Sequence, residues 1–223
     1  AQAGASGPLP RGAGAAVGGG PGAGPVGVVA KLTEFLPKPV VEQRPDGSYA
    51  LKHDIPSSIG KVKAFYGNIG VVIKAYCYIR LLGLAGLKQV SEDAILSANY
   101  LKKRLEKVFK IPYPATCMHE FVLTTEKAGN DEIHSADVGK RLLDFGFHAP
   151  TVSFPLIVHN ALMIEPTESE SKATLDAFID AMVKIAHELE HNSEIVKHAP
   201  YTMPVKRCDE VKAARTPNLK YNK

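Results

Sequence analysis

The hydrophobic period of the chain changes after Pro112, and this change constrains the fold more than any other feature. Three segments, "MHEFVLTTE", "TVSFPL" and "ALMIEP", have the short apolar runs of strands. Two others, "SADVGKRLLDFGF" and "ESKATLDAFIDAMVKIAHELE", repeat apolar residues every three or four positions, as amphipathic helices do. The order strand, helix, two strands, helix predicts a small α/β sandwich with one sheet and helices on one face.

The last helical segment carries an apolar stripe that we expect to be core rather than a cofactor-binding surface. The stripe consists of Leu175, Phe178, Ile179, Met182, Ile185 and Leu189. Just before it, Thr167 and Glu170 fit the S/T-x-x-E capping box, which predicts a helix start at Thr167.

Two connecting helices are predicted between residues 57 and 110. Ser57 or Ser58 is the expected cap of the first, whose apolar positions keep three- and four-residue spacing as far as Ile79. Gly83 and Gly86 are expected to separate it from the second helix, "LKQVSEDAILSANYLKKRLEKVF".

The first 56 residues are less regular. Residues 1–16 are mostly Ala, Gly and Pro, with too few large apolar groups to offset the entropy of ordering, so we expect a disordered or non-native segment. "VGVVA" predicts a buried strand and "LTEFLP" a helical turn. The sequence around Asp46 and Gly47 predicts a hairpin.

The composition excludes some classes of function. The chain has 223 residues, 45% of them apolar, and a net charge of +4 without a basic block, so we expect a globular protein without a nucleic-acid or membrane partner. Cys77, Cys117 and Cys208 lie far apart, which argues against a disulfide framework and favours a reducing compartment. The longest apolar run contains Lys74 and Arg80, so no membrane span is expected.

A glycine run, "GGGPGAG", is a candidate anion-binding loop because glycine lets backbone N–H groups converge on one point. It matches neither the GxxxxGK[ST] loop nor a GxGxxG sequence that opens a helix. By composition alone, a flexible linker is the commoner meaning of such a run.

Four side chains are candidates for chemistry. His119 and Glu120 are expected on opposite sides of one strand, and without a second histidine four residues on they predict no metal site. Glu165 ends an apolar strand, where a buried carboxylate needs a partner. His148 lies between a helix end and a strand, where either a ligand contact or simple packing is compatible with the sequence. The other histidines are expected to be scattered and solvated: His53, His134, His159, His187, His191 and His198.

Several longer motifs carry a family resemblance. "GGGPGAGPVGV", "YIRLLGLAGL", "RLLDFGFHAPTVSFPL" and "LMIEPTESESKATLDAFIDAM" occur in the order and approximate spacing of the C-terminal part of glycine dehydrogenase (decarboxylating), the P-protein of the glycine cleavage system. The resemblance covers residues 17–223. "SIGKVKAFYGNIGVVIKAYCYIR" resembles the second subunit of the two-subunit prokaryotic form.

The resemblance implies an α/β fold, the C-terminal part of a pyridoxal-phosphate (PLP)-dependent transferase of the aspartate aminotransferase-like fold type I. Residues 17–56 would be the tail of the large cofactor domain, residues 57–110 the connecting helices and residues 111–223 the small domain. It further implies PLP-dependent decarboxylation of glycine, with transfer of the aminomethyl group to the lipoyl arm of H-protein. A first subunit and a heterotetramer are also implied, and the scattered cysteines favour a cytoplasmic location.

The resemblance suggests site residues by position. The family's glycine loop, near the cofactor, corresponds to Gly18, Gly19, Gly20 and Gly22. Candidates for catalysis are His119, His148 and Glu165. Candidates for the substrate entrance are Thr151, Thr167 and Glu168.

The family's cofactor-binding lysine has no counterpart here. In the family that lysine lies in a His-Lys-Thr motif just upstream of the glycine run. The corresponding position falls near Pro10, in "GPLPRGAGAA", and the first lysine of the chain is Lys31. We therefore expect a truncated or frameshifted subunit that is inactive alone. The alternative is a non-catalytic interaction protein that retains the small domain; "LMIEPTESES" argues against a third reading, a different fold-type I enzyme.

Overall fold

The structure is a computed structural model that describes residues 23–24, 26–64, 67–126 and 133–220. Its strands are β1 (Val40–Gln43), β2 (Tyr49–Lys52), β3 (Phe121–Thr124), β4 (Thr151–Val152) and β5 (Ala161–Ile164). Its helices are a 3-10 helix (Ala30–Phe35) and α1 (Ile69–Leu105), α2 (Ser135–Asp144), α3 (Lys172–His191), α4 (Ser193–Lys197) and α5 (Glu210–Arg215). The chain divides into two compact units, Ala1–Leu87 and Lys88–Lys223.

The hairpin predicted in the first unit is confirmed. Strands β1 and β2 pair antiparallel, with Gln43 opposite Tyr49 at the turn. Gly47 has a φ of +84°, a conformation that a residue with a side chain adopts only under strain. Asp46 Oδ1 accepts hydrogen bonds from the N–H and the hydroxyl of Ser48, at 2.9 and 2.6 Å, which closes the turn.

The strand predicted at residues 26–30 is not present. Val26 to Val29 have no regular structure, and the 3-10 helix begins at Ala30, so the predicted helical turn is confirmed but the strand before it is wrong. A buried strand of this kind depends on hydrogen bonds to neighbouring strands. Among the described residues of this unit the only strands are β1 and β2, which pair with each other.

The first connecting helix begins later than predicted. Ser58 does not cap it: its hydroxyl donates to the carbonyl oxygen of Leu36 at 2.6 Å and accepts from the N–H of Gly60 at 3.0 Å. Gly60 and Gly67 both have positive φ, which interrupts a right-handed helix. Helix α1 therefore begins at Ile69.

Helix α1 consists of two helical segments that meet at Gly83. Gly83 has φ +62° and ψ −173°, a region open almost only to glycine, so the predicted break is confirmed there. Gly86 lies within the helix and does not end it.

The apolar stripe of the first α1 segment is exposed: Ile69 is 69% exposed, Ile73 54% and Tyr76 63%. By length and composition, α1 is apolar enough to cross a membrane, despite Lys74 and Arg80. The expectation that Lys74 and Arg80 leave no run long and apolar enough for a membrane span was therefore wrong as to length and composition. A core helix of a soluble protein meets the same criterion, although the apolar 18-residue window of this helix is not buried.

The second unit contains the sheet and the core. The strand order is β3-β5-β4, with both pairs antiparallel, so the predicted strands are confirmed. All four residues of β3 are buried, so both faces of this strand are covered. The predicted arrangement, with helices on one face of the sheet, does not explain this burial. The core draws on the second segment of α1 as well as on α2 and α3.

Helix α3 confirms the predicted core stripe but not its predicted start. Every residue of that stripe is buried. The helix begins at Lys172, and Ser171 is its cap, accepting a hydrogen bond from the Thr174 N–H at 3.1 Å. Thr167 instead lies 2.8 Å, hydroxyl to hydroxyl, from Ser169. The prediction of a capping box at Thr167 and Glu170 is therefore wrong. Ser171 directly precedes the first helical residue and is the cap.

The three cysteines are all described and all free, as predicted.

Candidate functional site

His119, Glu120 and Glu165 meet at one end of the sheet. Strands β3 and β5 are antiparallel, with Phe121 opposite Ile164, so the residues just before β3 lie beside those just after β5. His119 Nε2 is 3.9 Å from Glu120 Oε2 and 3.8 Å from Glu165 Oε1. One ligand atom from each residue lies within 4.8 Å of the other two.

This arrangement differs from the expected one in two ways. His119 and Glu120 precede β3, so the alternation of a strand does not apply to them, and both side chains reach the same point. Glu165 does have a partner, as predicted, because its largely buried carboxylate faces the His119 imidazole. The segment "MHEF" contains no complete metal-binding motif, so the cluster was not predicted. Its third residue, Glu165, follows a different strand, β5. The signal that could have revealed it is the pairing of "MHEF" with "MIEP" as neighbouring antiparallel strands.

The other residues predicted for the site lie elsewhere. His148 is exposed in the loop between α2 and β4. Thr151 is exposed in β4, the strand at the opposite edge of the sheet from β3. Thr167 and Glu168 are half-buried between β5 and α3. Gly18, Gly19, Gly20 and Gly22 lie outside the described residues.

Glu168 lines a cavity of about 330 Å³ in the second unit, together with Tyr100 and Lys172. Lys172 Nζ donates to Asp176 Oδ2 at 2.5 Å, and this hydrogen bond raises the pKa of Lys172 and lowers that of Asp176. The Tyr100 hydroxyl donates to the other oxygen of Asp176 and accepts from Arg104 at 3.0 Å. These side chains hydrogen-bond one another, so this part of the cavity wall is a structural network.

The buried lysine of the described residues is not available to a cofactor such as PLP. Among them, Lys102 is the buried lysine, 5% exposed, and its Nζ donates hydrogen bonds to the carbonyl oxygens of Pro114, at 3.0 Å, and Ala115. An amine held in this way is committed to the backbone and is not free to form a Schiff base.

A second buried cluster was not predicted at all. Arg141 in α2 makes two parallel hydrogen bonds of 2.8 Å each to Glu188 in α3, and a third of 3.0 Å to Asp144. The hydrogen bond to Glu188 raises the pKa of Arg141 above its usual value. Asp144 Oδ1 accepts from the N–H groups of Tyr201 and Thr202, at 2.6 and 2.8 Å. The cluster ties the segment after α4 to α2 and has a structural role.

Comparison with known proteins identifies a family. The model of the family described as "Glycine dehydrogenase, C-terminal domain" matches residues 90–205, which is more than half of the chain.

Full-length relatives point the same way. The chain is 56% identical over 208 residues to the probable glycine dehydrogenase (decarboxylating) subunit 2 of Caldanaerobacter subterraneus subsp. tengcongensis. It is 55% identical over 205 residues to the protein of the same name from Oceanobacillus iheyensis. Each match covers 92% of this chain and 42% of the relative, so the chain spans less than half the length of these curated relatives. The resemblance seen in the motifs is confirmed.

A solved structure shows the fold. The crystal structure of glycine decarboxylase (P-protein) of the glycine cleavage system, in inhibitor-bound form, matches 70% of this chain and 37% of its own, with a TM-score of 0.54 and 18% identity. At this identity the likeness concerns the fold alone. The predicted class, the C-terminal part of the aspartate aminotransferase-like fold type I, is confirmed.

Proposed function

We propose, since this chain belongs to the family of glycine dehydrogenase C-terminal domains, that it forms part of a PLP-dependent glycine decarboxylase, an oxidoreductase of the glycine cleavage system. The observation that carries the proposal is the identity of 56% with a protein named glycine dehydrogenase (decarboxylating) subunit 2, extending over 92% of this chain. Similarity at this level along nearly the whole chain argues for a shared activity and not only a shared fold.

The proposed partners follow from the same similarity. The name "subunit 2" of the relatives supports a first subunit, and we propose a cytoplasmic heterotetramer with it. We propose glycine as the substrate and the lipoyl arm of H-protein as the acceptor of the aminomethyl group. The chain spans 42% of the relatives' length, and the buried lysine of its described residues is held by backbone carbonyl groups. We therefore propose that the cofactor-binding lysine belongs to the remainder of the complete protein and that this chain alone is inactive.

Within the complete enzyme, the second unit would supply side chains to the substrate entrance. His119 and Glu165 are the strongest candidates because they already face each other across 3.8 Å. An imidazole that faces a carboxylate is an arrangement suited to general acid–base catalysis. His148 remains a further candidate for catalysis, and Thr151, Thr167 and Glu168 remain candidates for the entrance.

A chimera tests the proposal. In it, residues 23–220 of this chain replace the matching part of the Caldanaerobacter relative, and the chimera is combined with that organism's first subunit and lipoylated H-protein. We expect exchange of labelled CO2 into glycine for the chimera, and neither exchange nor the visible absorbance of lysine-bound PLP for the 223-residue chain alone. A chimera that folds and binds the first subunit without exchange would support the non-catalytic alternative instead.

The role of His119 is tested in the same chimera. The change His119→Ala should lower the exchange rate at least tenfold, because a positioned acid or base contributes about that much or more. The matched control is His159→Ala, since His159 also pairs with a glutamate, Glu126, at 3.1 Å but is exposed away from the cluster. Equal rates for the two variants would remove His119 from the site.

A further inference from the structure

The geometry points to a binding site for one divalent metal cation of the Mn²⁺ type, with His119, Glu120 and Glu165 as its protein ligands. The inference concerns metal binding by the second unit, does not depend on the proposed decarboxylation, and is an alternative to the acid–base role proposed above for His119 and Glu165. Three residues of ligating type converge on one point, with their ligand atoms within 4.8 Å of one another.

The charges around this point favour a dication. Glu120 and Glu165 flank paired strands at directly opposed positions, and like charges opposite each other on antiparallel strands are destabilising. The Glu165 side chain is only 13% exposed, so water screens this repulsion poorly. A cation bound between the two carboxylates converts the repulsion into attraction.

The distances suit such an ion after a small adjustment. Metal–ligand bonds of about 2.0 to 2.2 Å place neighbouring ligand atoms roughly 3.0 to 3.5 Å apart. The two distances from His119 Nε2, 3.8 and 3.9 Å, exceed that range by less than 1 Å. The side chains of His119 and Glu120 are each 38% exposed, so they are free to close in by changing rotamer.

The kind of ligand indicates the kind of metal. Two carboxylates and one imidazole are a set of hard and intermediate ligands, which suits Mn²⁺ better than the thiolate-preferring ions. Three protein ligands leave further coordination positions to water. The bound ion would join the residues before β3 to those after β5, and so hold the start of the segment that leads to Ser171 and α3.

The test uses Mn²⁺ alone, because the chain offers other places to softer metals. His187 and His191 are four residues apart on the exposed face of α3, with stacked rings whose centroids are 4.1 Å apart, and such a pair binds transition metals. The three free thiols are a second source of background. The measurements are therefore made in the 223-residue chain carrying His187→Ala and His191→Ala, together with Val72→Glu and Tyr76→Lys, which replace exposed apolar side chains of α1 and keep the chain in solution.

Binding is followed by the loss of the electron paramagnetic resonance signal of free Mn²⁺. We expect one Mn²⁺ per chain in this background, at least tenfold weaker binding after His119→Ala or Glu165→Gln, and unchanged binding after the control change His159→Ala. Circular dichroism checks that each variant folds; if Glu165→Gln does not, the half-exposed Glu120→Gln takes its place with the same expectation. The inference is overturned if no Mn²⁺ binds, or if binding survives unchanged in the folded ligand variants.

Discussion

At the scale of single residues, the second unit depends on charges that are paired out of water. The side chains of Arg141, Glu188 and Asp144 are 14%, 11% and 3% exposed, and each has a charged partner. Removing one member of a buried pair leaves the other charge without compensation, which costs more than the pair itself contributes. The planar guanidinium of Arg141 bonds both oxygens of Glu188, a geometry that lysine does not reproduce.

Asp144 makes the stability of this unit depend on pH. Burial by itself raises the pKa of Asp144, but hydrogen bonds from Thr202, Tyr201 and Arg141 outweigh it, and the pKa ends below its usual value. A carboxylate with a lowered pKa stabilises the fold above its unfolded pKa of about 4, and that contribution is lost as the pH falls through the folded pKa.

The variant Asp144→Asn tests this dependence because it keeps the shape and removes the charge. We expect a loss of about 1 to 3 kcal/mol in the free energy of unfolding at pH 7, because the amide oxygen of asparagine still accepts from Tyr201 and Thr202 but its NH2 group cannot accept from Arg141. The difference from the parent chain should shrink below about pH 4, as the parent carboxylate takes up its proton. Urea unfolding followed by circular dichroism from pH 7 to pH 3 measures it. Asp180→Asn, on the exposed face of α3, is the control, and a difference constant with pH would contradict the assignment.

At the scale of elements, helix starts show how local sequence and local structure diverge. Thr167 satisfies the pattern of a capping box, yet Ser171 caps α3, and Ser58 closes a turn instead of capping α1. Several polar residues precede the apolar helical pattern in each case, and each of them is of a type that can cap a helix. The backbone conformation between them, including the positive φ of Gly60, decides which one is used.

The cap of α3 gives a paired prediction. Ser171→Ala should lower the free energy of unfolding by about 1 kcal/mol, because the Thr174 N–H loses its acceptor at the helix start. Thr167→Ala should change it by less than about 0.5 kcal/mol, since Thr167 caps nothing. Urea unfolding of the two variants side by side measures the difference. A larger loss of unfolding free energy for Thr167→Ala would show that Thr167, and not Ser171, caps α3.

At the scale of the whole molecule, apolar surface lies open on the first segment of α1. Val72, Ile73 and Tyr76 are 47%, 54% and 63% exposed, and Leu81 is 84% exposed. Contiguous apolar surface of this kind promotes association. We therefore expect the 223-residue chain to be poorly soluble on its own.

Two substitutions on this surface test the expectation. Val72→Glu with Tyr76→Lys replaces exposed apolar groups by a favourable i,i+4 pair on the helix. We expect the soluble concentration to rise several-fold and the unfolding midpoint to stay the same, because neither side chain is buried. The control exchanges the charges of the exposed pair formed by Lys103, in the last turn of this helix, and Glu106, just after its end. Solubility that changes equally in the two variants, or in neither, would show that the apolar surface is not the cause.

The local patterns of the sequence determined most of the elements. The α3 stripe, the three strands of the second unit, the Asp46–Gly47 hairpin and the break at Gly83 all follow from periodicity or from the freedom of glycine, which act within a few residues. The family also follows from the sequence, because "FGFHAPT" and "LMIEPTESE" are specific combinations.

Only the tertiary structure decided which residues that are distant in sequence contact each other. The register that sets Phe121 opposite Ile164 brings His119 and Glu165 together, and the packing of α2 on α3 joins Arg141 to Glu188. The same holds for the missing strand at residues 26–30, because a strand forms only where a neighbour accepts its hydrogen bonds. Contacts between residues more than 40 positions apart leave no periodic trace in the sequence, so the chain has to fold before they can be seen.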